Sequence, residues 1–524
     1  MVLKLNAALF AVLVSAGAAA AQSFVFCTDQ APEGFDPARY VSMATFDGSS
    51  RTIYNRLVEF VPGTVDVQPG LAESWEVSEN GTVYTFRLRP NVAFHSNDAF
   101  APSRDLAAED VVFSFERQRL LDHPFHYVGP GDWTYFRGMG MGARIASIEA
   151  VDALTVRFVL TDADAGFPSK LAMDFASILS AEYGAAMAAA GTPEQIAMAP
   201  IGTGPFVYSE SQNGTEVRFQ TNDDYWNGAP AIDDLTVSVI EDPAARFEAL
   251  RSGDCHAMAR PQTTDLPKFE AAEEVAVISV NGQALSYLAF NTTLAPFDNA
   301  NVRRALSLAV DRETLVESIF GLTADVAIHP AASPDLAPDA EVYDVEAARR
   351  LLAEEGVEDL AMTLWMAPVA RPYNPDPVGT ARRIADDLAA VGVDVAIARY
   401  DWTDFLRRSR APDRDGAVLF GWINENGDPD GTLGELLTCD TVGKGNRAQW
   451  CNGAFDGLLD QARTTSDPET RAALFDEAQA IFAAEAPWVI LARSVRFAGV
   501  RAEVEGLVVD PFGGHRFEAL RFLN

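Results

Sequence analysis

From Leu360 to Tyr400 the chain reads as strand, helix and strand. Met362-Thr363-Leu364-Trp365-Met366-Ala367 is extended and apolar, Val378 to Val391 follows a helical pattern, and Asp394-Val395-Ala396-Ile397-Ala398-Arg399-Tyr400 returns to extended chain. Strands joined through a helix run parallel, and a parallel sheet needs cover on both faces, so this unit commits the region to an α/β architecture. Such sheets bind ligands beyond the carboxyl ends of their strands. Here that place belongs to Val369-Ala370-Arg371-Pro372-Tyr373-Asn374-Pro375, a proline-stiffened loop with one arginine and one tyrosine. The equivalent place after the apolar run Ala417-Val418-Leu419-Phe420 is GWINENGDPDG, Gly421 to Gly431, which packs Glu425, Asp428 and Asp430 into six residues. A cationic loop and an anionic loop are therefore expected to face a common crevice. Trp402 and Trp422 are candidate walls for it, with a role in the core as the competing reading.

A chain of 524 residues exceeds what one core usually holds, and two or three domains are expected. From Leu71 to about Leu160 the pattern is short strands with turn chemistry: Ser74-Trp75-Glu76-Val77, the Asn80-Gly81 hairpin signal, strict alternation from Val83 to Leu88, and a last strand from Leu154 to Leu160. From Asn299 onward helices alternate with strands. Asn301 to Val310 is amphipathic, Val345 to Glu355 follows the cap Asp344, and Asp467-Pro468-Glu469 opens a further helix.

The amino terminus reads as an export signal: Lys4, an apolar run to about Val14, then small residues ending Ala19-Ala20-Ala21, with cleavage expected near Ala21. Phe26 stands before Cys27 where a lipoprotein site needs a small residue, which points to a free periplasmic protein. In an oxidising compartment Cys27, Cys255, Cys439 and Cys451 allow three pairings. Cys439 with Cys451 closes a short loop and leaves Cys27 with Cys255, a bridge that would put two distant segments in one domain. Zinc is disfavoured because no pair has C-x-x-C spacing. With 75 acids against 40 bases the net charge is −35, which repels nucleic acid and anionic lipid.

Several spaced motifs then carry a resemblance. Gly70-Leu71-Ala72-Glu73-Ser74-Trp75, Phe94-His95, Ala108-Glu109-Asp110-Val111-Val112-Phe113-Ser114, Gly202-Thr203-Gly204-Pro205-Phe206 and Val302-Arg303-Arg304-Ala305-Leu306 resemble the landmarks of the peptide-binding class of periplasmic solute-binding proteins. Tyr54 to Phe60, Asp174 to Ser180, Arg371-Pro372-Tyr373-Asn374-Pro375 and Asn426-Gly427-Asp428-Pro429-Asp430 are similar to its dipeptide-binding members, and the likeness spans essentially the whole mature chain. It implies a two-lobed periplasmic-binding-protein fold with the ligand cleft between the lobes and an extra domain inserted in the first. On this basis residues 22–53, 204–280 and 500–524 would form lobe I, 54–203 the extra domain and 281–499 lobe II, after a signal peptide at 1–21. The resemblance also implies the pairs Cys27–Cys255 and Cys439–Cys451, a monomer without cofactor, and delivery of a short peptide to the permease of an inner-membrane ABC transporter.

Within that family the arginine of the RPYNP loop holds the ligand carboxylate, and an aspartate three residues after the tryptophan of the GW loop holds its ammonium. Arg371 matches the first position, with Tyr373 beside it. The second is Glu425, one methylene longer, and Asp428 is the fallback acid. The scaffold is also used for glutathione, nickel complexes and haem, which are the alternative ligands.

Two other chemistries compete for these residues. Asn426, Asp428, Asp430 and Gly431 fall at positions 1, 3, 5 and 6 of a calcium loop, yet position 12 is Leu437, where a glutamate is required. An exported hydrolase could use paired acids, but neither G-x-S-x-G nor H-E-x-x-H occurs. His123 with His126 lacks a third ligand, and Gly138-Met139-Gly140-Met141-Gly142 reads as a backbone turn.

Overall fold

Two long antiparallel strands, Val275–Phe290 and Trp488–Arg501, carry the architecture of this computed structural model. It describes residues 22–523 apart from 213 and 332–342, so the export signal at 1–21 lies outside the described residues. The first part of Val275–Phe290, from Ala276 to Asn281, is partly exposed, whereas the apolar run Ala284-Leu285-Ser286-Tyr287-Leu288-Ala289-Phe290 is buried on both faces. A register irregularity between Asn281 and Leu285 separates the halves.

Around this pair grows one 11-stranded mixed sheet. On one side lie Ala417–Ile423, Ala361–Met366 and Asp394–Arg399. The last two are parallel, with Met362 opposite Val395, and are joined by the helix Pro377–Ala389, as the β-α-β pattern requires. Ala417–Ile423 also runs parallel to Ala361–Met366, with Leu364 opposite Ala417. The 371 and 425 loops thus leave neighbouring strands at the same edge of the sheet.

On the other side the order continues through Ala257–Ala259, Ser23–Thr28, Asp234–Val239, Glu216–Thr221 and Phe206–Gln212. Cys27 in Ser23–Thr28 is bonded to Cys255, just ahead of Ala257–Ala259, across a Cα separation of 5.9 Å. Phe247, Leu250, Met258 and Phe269 bury this bridge in a small core of their own. The second disulfide, Cys439 to Cys451, closes a local loop.

A separate four-stranded antiparallel sheet takes Ala72–Val77, Val83–Leu88, Thr155–Leu160 and Ile145–Asp152 in that order. Gly81 turns the first hairpin at φ +70°, which glycine adopts without steric cost. The helix Ala108–Arg119 covers the sheet, with Phe115 edge-on to Phe158 at 5.2 Å. The core beneath is continuous with that of the strands around Phe24 and Phe26, so this sheet is packed onto the first lobe. Two further cores cover opposite faces of the second lobe's sheet, one around Leu364 and Leu419 and one around Phe405, Phe420 and Trp450. Mixed α/β layers in two lobes, with an added sheet beside the first, are the architecture expected from the motifs.

Helix starts follow the capping residues. Asn299, Asp344 and Asp467 accept backbone N–H groups at the heads of Ala300–Ala309, Val345–Glu354 and Pro468–Glu485.

Candidate functional site

A cavity of about 420 Å³ lies where both lobes and the added sheet meet, within the size range of small-ligand sites. Phe46, Arg51, Tyr135, Asp174 and Arg260 line it from the first-lobe side, and Val495, Arg496 and Phe497 from the long strand. The second lobe contributes Pro372, Ile423 and Glu425. The loop carrying Glu425 is seated against the opposite lobe: Gly427, at φ +70°, lies where a Cβ would stand 2.6 Å from Val65 and 3.3 Å from Phe512. Only glycine satisfies both that backbone conformation and that approach.

Glu425 is exposed to solvent within the cavity, and among the described residues it forms no ion pair. The surrounding protein displaces enough water from its carboxyl to raise its pKa above the ordinary glutamate value. Across the cavity burial raises the Tyr135 hydroxyl, and the Glu425 charge adds to that shift.

Arg371 is exposed and likewise has no carboxylate partner among the described residues. Its loop folds back on itself through Arg371 N–H to Asn374 C=O and the reverse bond, both 2.9 Å. Its guanidinium lies 4.2 Å over the Trp402 ring, a cation–π contact that orients the charge while leaving its N–H edge open. Trp402 heads the helix Trp402–Arg408 and stacks toward Phe420 at 6.3 Å.

Tyr373 is buried against Phe420 at 5.6 Å, and burial pushes its hydroxyl up to about 12 although Arg371 and Arg447 oppose the shift. Gly421 makes this seat possible, since a Cβ there would meet Tyr373 Cδ2 at 2.2 Å. Beneath, the buried Arg447 guanidinium lies 3.9 Å over the other partner, Phe420. Trp422 donates from Nε1 to the Gly431 carbonyl at 2.8 Å and packs into the second lobe's core.

The acids beyond Glu425 are otherwise engaged. Asp428 is buried and accepts two bonds from Arg471, at 2.7 and 2.9 Å, while Asp430 accepts from Arg463 at 2.9 Å. Asn426 Oδ1 accepts the Asp428 N–H at 3.2 Å. Asp428 is therefore a brace of the loop and is not offered to the cavity, and the calcium-loop pattern is occupied by arginines. Among the described residues no cluster of three or more His, Cys, Asp or Glu side chains is arranged to hold a metal ion. The His126 ring bonds the Arg117 carbonyl at 3.0 Å, and Gly140 turns between two short helices at φ +65°.

Sequence reasoning did not find Tyr135, Asp174, Arg260 or Arg496. Asp174 belongs to a buried network in which Arg51 meets Asp174 at 3.2 Å and Asp510 at 2.8 Å, while Arg516 reaches Asp510 and Glu59 at 3.3 Å. These charges come from three distant segments, and only the fold brings them together.

The sequence pattern of the bacterial extracellular solute-binding proteins, family 5 middle, matches residues 66–444. The dipeptide-binding protein of Escherichia coli (strain K12) is 41% identical over 523 residues, 98% of this chain and 97% of that one. Heme-binding protein A of Haemophilus influenzae is 40% identical over 500 residues, 94% and 91% of the two chains. Among solved structures, HbpA2 from Haemophilus parasuis superposes with a TM-score of 0.92 at 37% identity, covering 96% of this chain and all (100%) of that one. The dipeptide-binding protein from Pseudoalteromonas sp. SM9913 in complex with Met-Leu gives 0.68 at 32% identity, with the same coverages of 96% and 100%. With a matching pattern over most of its length and relatives of this identity along nearly all of it, the chain belongs to family 5 of the bacterial extracellular solute-binding proteins.

Proposed function

We propose that this protein is the periplasmic receptor of an ABC importer, that it captures dipeptides or similarly short peptides by their charged termini, and that it presents them to the membrane permease. The observation that carries the reading is the pair of opposite charges on neighbouring loops, without ion-pair partners among the described residues: Arg371 after Ala361–Met366 and Glu425 after Ala417–Ile423. A peptide zwitterion entering a closed cleft loses water from both ends, which is tolerable only if each end meets an opposite charge. Arg371 can fork two N–H groups onto a carboxylate, and Glu425 can accept from an ammonium. Tyr373, Trp402 and Trp422 hold these loops in place, and side chains of the peptide occupy the cavity toward Tyr135 and Arg496.

We further propose the partition into lobe I (22–53, 204–280, 500–524), an inserted domain (54–203) and lobe II (281–499), acting as a monomer whose lobes close on the ligand. The protein is a carrier and returns its ligand unaltered. The names of relatives at 38–41% identity support a peptide ligand. One relative is named for haem; the cavity walls contain no histidine or cysteine, and of the residue types that ligate haem iron they offer Tyr135, Met43 and Met173.

Titration calorimetry with free dipeptides and with haem, followed by small-angle scattering, tests the reading. Binding of free dipeptides, contraction on binding and recovery of intact peptide are expected. Binding of haem alone, or time-dependent cleavage of the peptide, would overturn it.

A further inference from the structure

Four arginines line the cavity, and three have counterions. Arg51 meets Asp174 and Asp510, Arg516 meets Asp510 and Glu59, and Arg260 meets Asp29, with Nε to Oδ2 at 3.1 Å. The fourth, Arg496, forms no ion pair among the described residues, and its buried Nε has no acceptor. Two glycines from other segments, Gly282 and Gly513, approach its side chain. A Cβ at Gly282 would stand 3.2 Å from Arg496 Nε, and one at Gly513 would stand 3.5 Å from it. The first approach is tighter than ordinary van der Waals contact and the second is not, so it is Gly282 that leaves room for the guanidinium.

An unpaired, partly desolvated guanidinium is costly. Burial alone lowers the pKa of Arg496, and Arg260 is close enough to feel its charge as well as its own burial. Arg260 holds φ +48°, an uncommon backbone for a residue with a Cβ, at the same edge of the cavity. The cavity therefore has a local positive pole at Arg496, the guanidinium without a counterion among the described residues, distinct from Arg371, which does not line it. In a chain of net charge −35 an anionic group approaching the cavity meets repulsion unless such a local pole receives it.

We infer that Arg496 forms a second anion-binding position in the cavity, and that it selects short peptides bearing an acidic side chain. The inference rests on the peptide-receptor reading above, in which Arg371 takes the terminal carboxylate and leaves Arg496 for a side-chain carboxylate. Both groups carry two oxygens that a guanidinium fork can match, so it is the position in the cavity that separates the two roles.

The test is titration calorimetry of the mature protein with Ala-Ala and with two acid–amide pairs, Ala-Glu against Ala-Gln and Glu-Ala against Gln-Ala. Wild type should bind at least one acidic member about tenfold more tightly than its amide, as expected for a desolvated charge pair. Arg496→Gln should erase that preference, so that acid and amide bind alike, and Arg496→Lys should keep part of the preference because it keeps the charge. Equal binding of acid and amide in both wild-type pairs, with Ala-Ala bound, overturns the inference and leaves the receptor reading intact; this arm needs no variant to fold. Equal loss of Ala-Ala and the acidic peptides in Arg496→Gln also overturns it, since the residue would then serve the terminus. Failure of wild type to bind any of these dipeptides defeats the receptor reading itself, and the inference with it.

Discussion

Arg471 grips Asp428 through two parallel bonds, Nη1 to Oδ2 at 2.7 Å and Nη2 to Oδ1 at 2.9 Å. The pair is buried behind the loop that carries Glu425, and it fixes the turn three residues downstream of that acid. Lys170 and Gly166 of the added sheet's region stand beside the same carboxylate, so the brace sits where the two lobes meet.

Breaking this brace should cost stability. Asp428→Asn or Arg471→Met leaves one buried charge unpaired, a loss typically of about 3–5 kcal/mol, read from urea denaturation. Burial alone would raise the Asp428 pKa, but the Arg471 charge and its bonds prevail and hold it below the ordinary aspartate value. With the native pKa depressed, the unfolded chain binds the proton more tightly. The contribution is therefore present above the unfolded aspartate pKa of about 3.9 and is lost as pH falls through the native value. Unfolding curves of Asp428→Asn should be flatter than wild type in that acid range.

Arg371→Ala should weaken free dipeptides by about 2–5 kcal/mol, the usual loss when one partner of a desolvated charge pair is removed. An amidated dipeptide should bind wild type poorly for the same reason. The two losses should overlap and not add, because they delete the same contact. Calorimetric titration of acid and amide against both proteins checks this, and an unchanged acid–amide difference in Arg371→Ala would place the terminal carboxylate elsewhere.

Glu425 carries two linked expectations. Its pKa is raised because the surrounding cavity walls displace water from its carboxyl, so the charge needed to hold an ammonium is lost at a higher pH than for an ordinary glutamate, and dipeptide affinity should decline on acidification from that higher point. A carboxyl with a raised native pKa binds its proton more tightly in the folded state, so it subtracts from stability as pH rises through the unfolded and then the native value. Glu425→Gln should therefore weaken free dipeptides more than N-acetylated ones, remove that pH dependence, and raise the neutral-pH melting temperature of the ligand-free protein.

Gly421→Ala tests the seat of the RPYNP loop. The added carbon would lie 2.2 Å from Tyr373 Cδ2 and 2.6 Å from the Leu285 carbonyl, and the strand backbone cannot retreat from the latter. Overpacking of this kind costs about 1–3 kcal/mol in stability. Displacement of Tyr373 should carry Arg371 with it, so dipeptide affinity should fall even where the variant is fully folded at the assay temperature, as judged by circular dichroism.

How much was legible beforehand follows the range of the forces involved. Helix caps at Asp344 and Asp467, the alternation of Val83 to Leu88 and the β-α-β unit are local patterns, each written within a few residues, and the last of these, with the run Ala417 to Phe420, placed Arg371 and Glu425 on loops at strand carboxyl ends. The short spacing of Cys439 and Cys451 pointed to their local bridge. Resemblance, not periodicity, supplied the two-lobed plan. The tertiary structure alone decided which charges are free. Nothing in GWINENGDPDG shows that Asp428 is already paired, because its partner is Arg471, 43 residues away along the chain. Likewise Arg496 sits in an ordinary strand pattern, and its unpaired state depends on which acids the fold brings near it. Charge pairing acts through space over a few ångströms, and a linear pattern encodes the residues but not their distances.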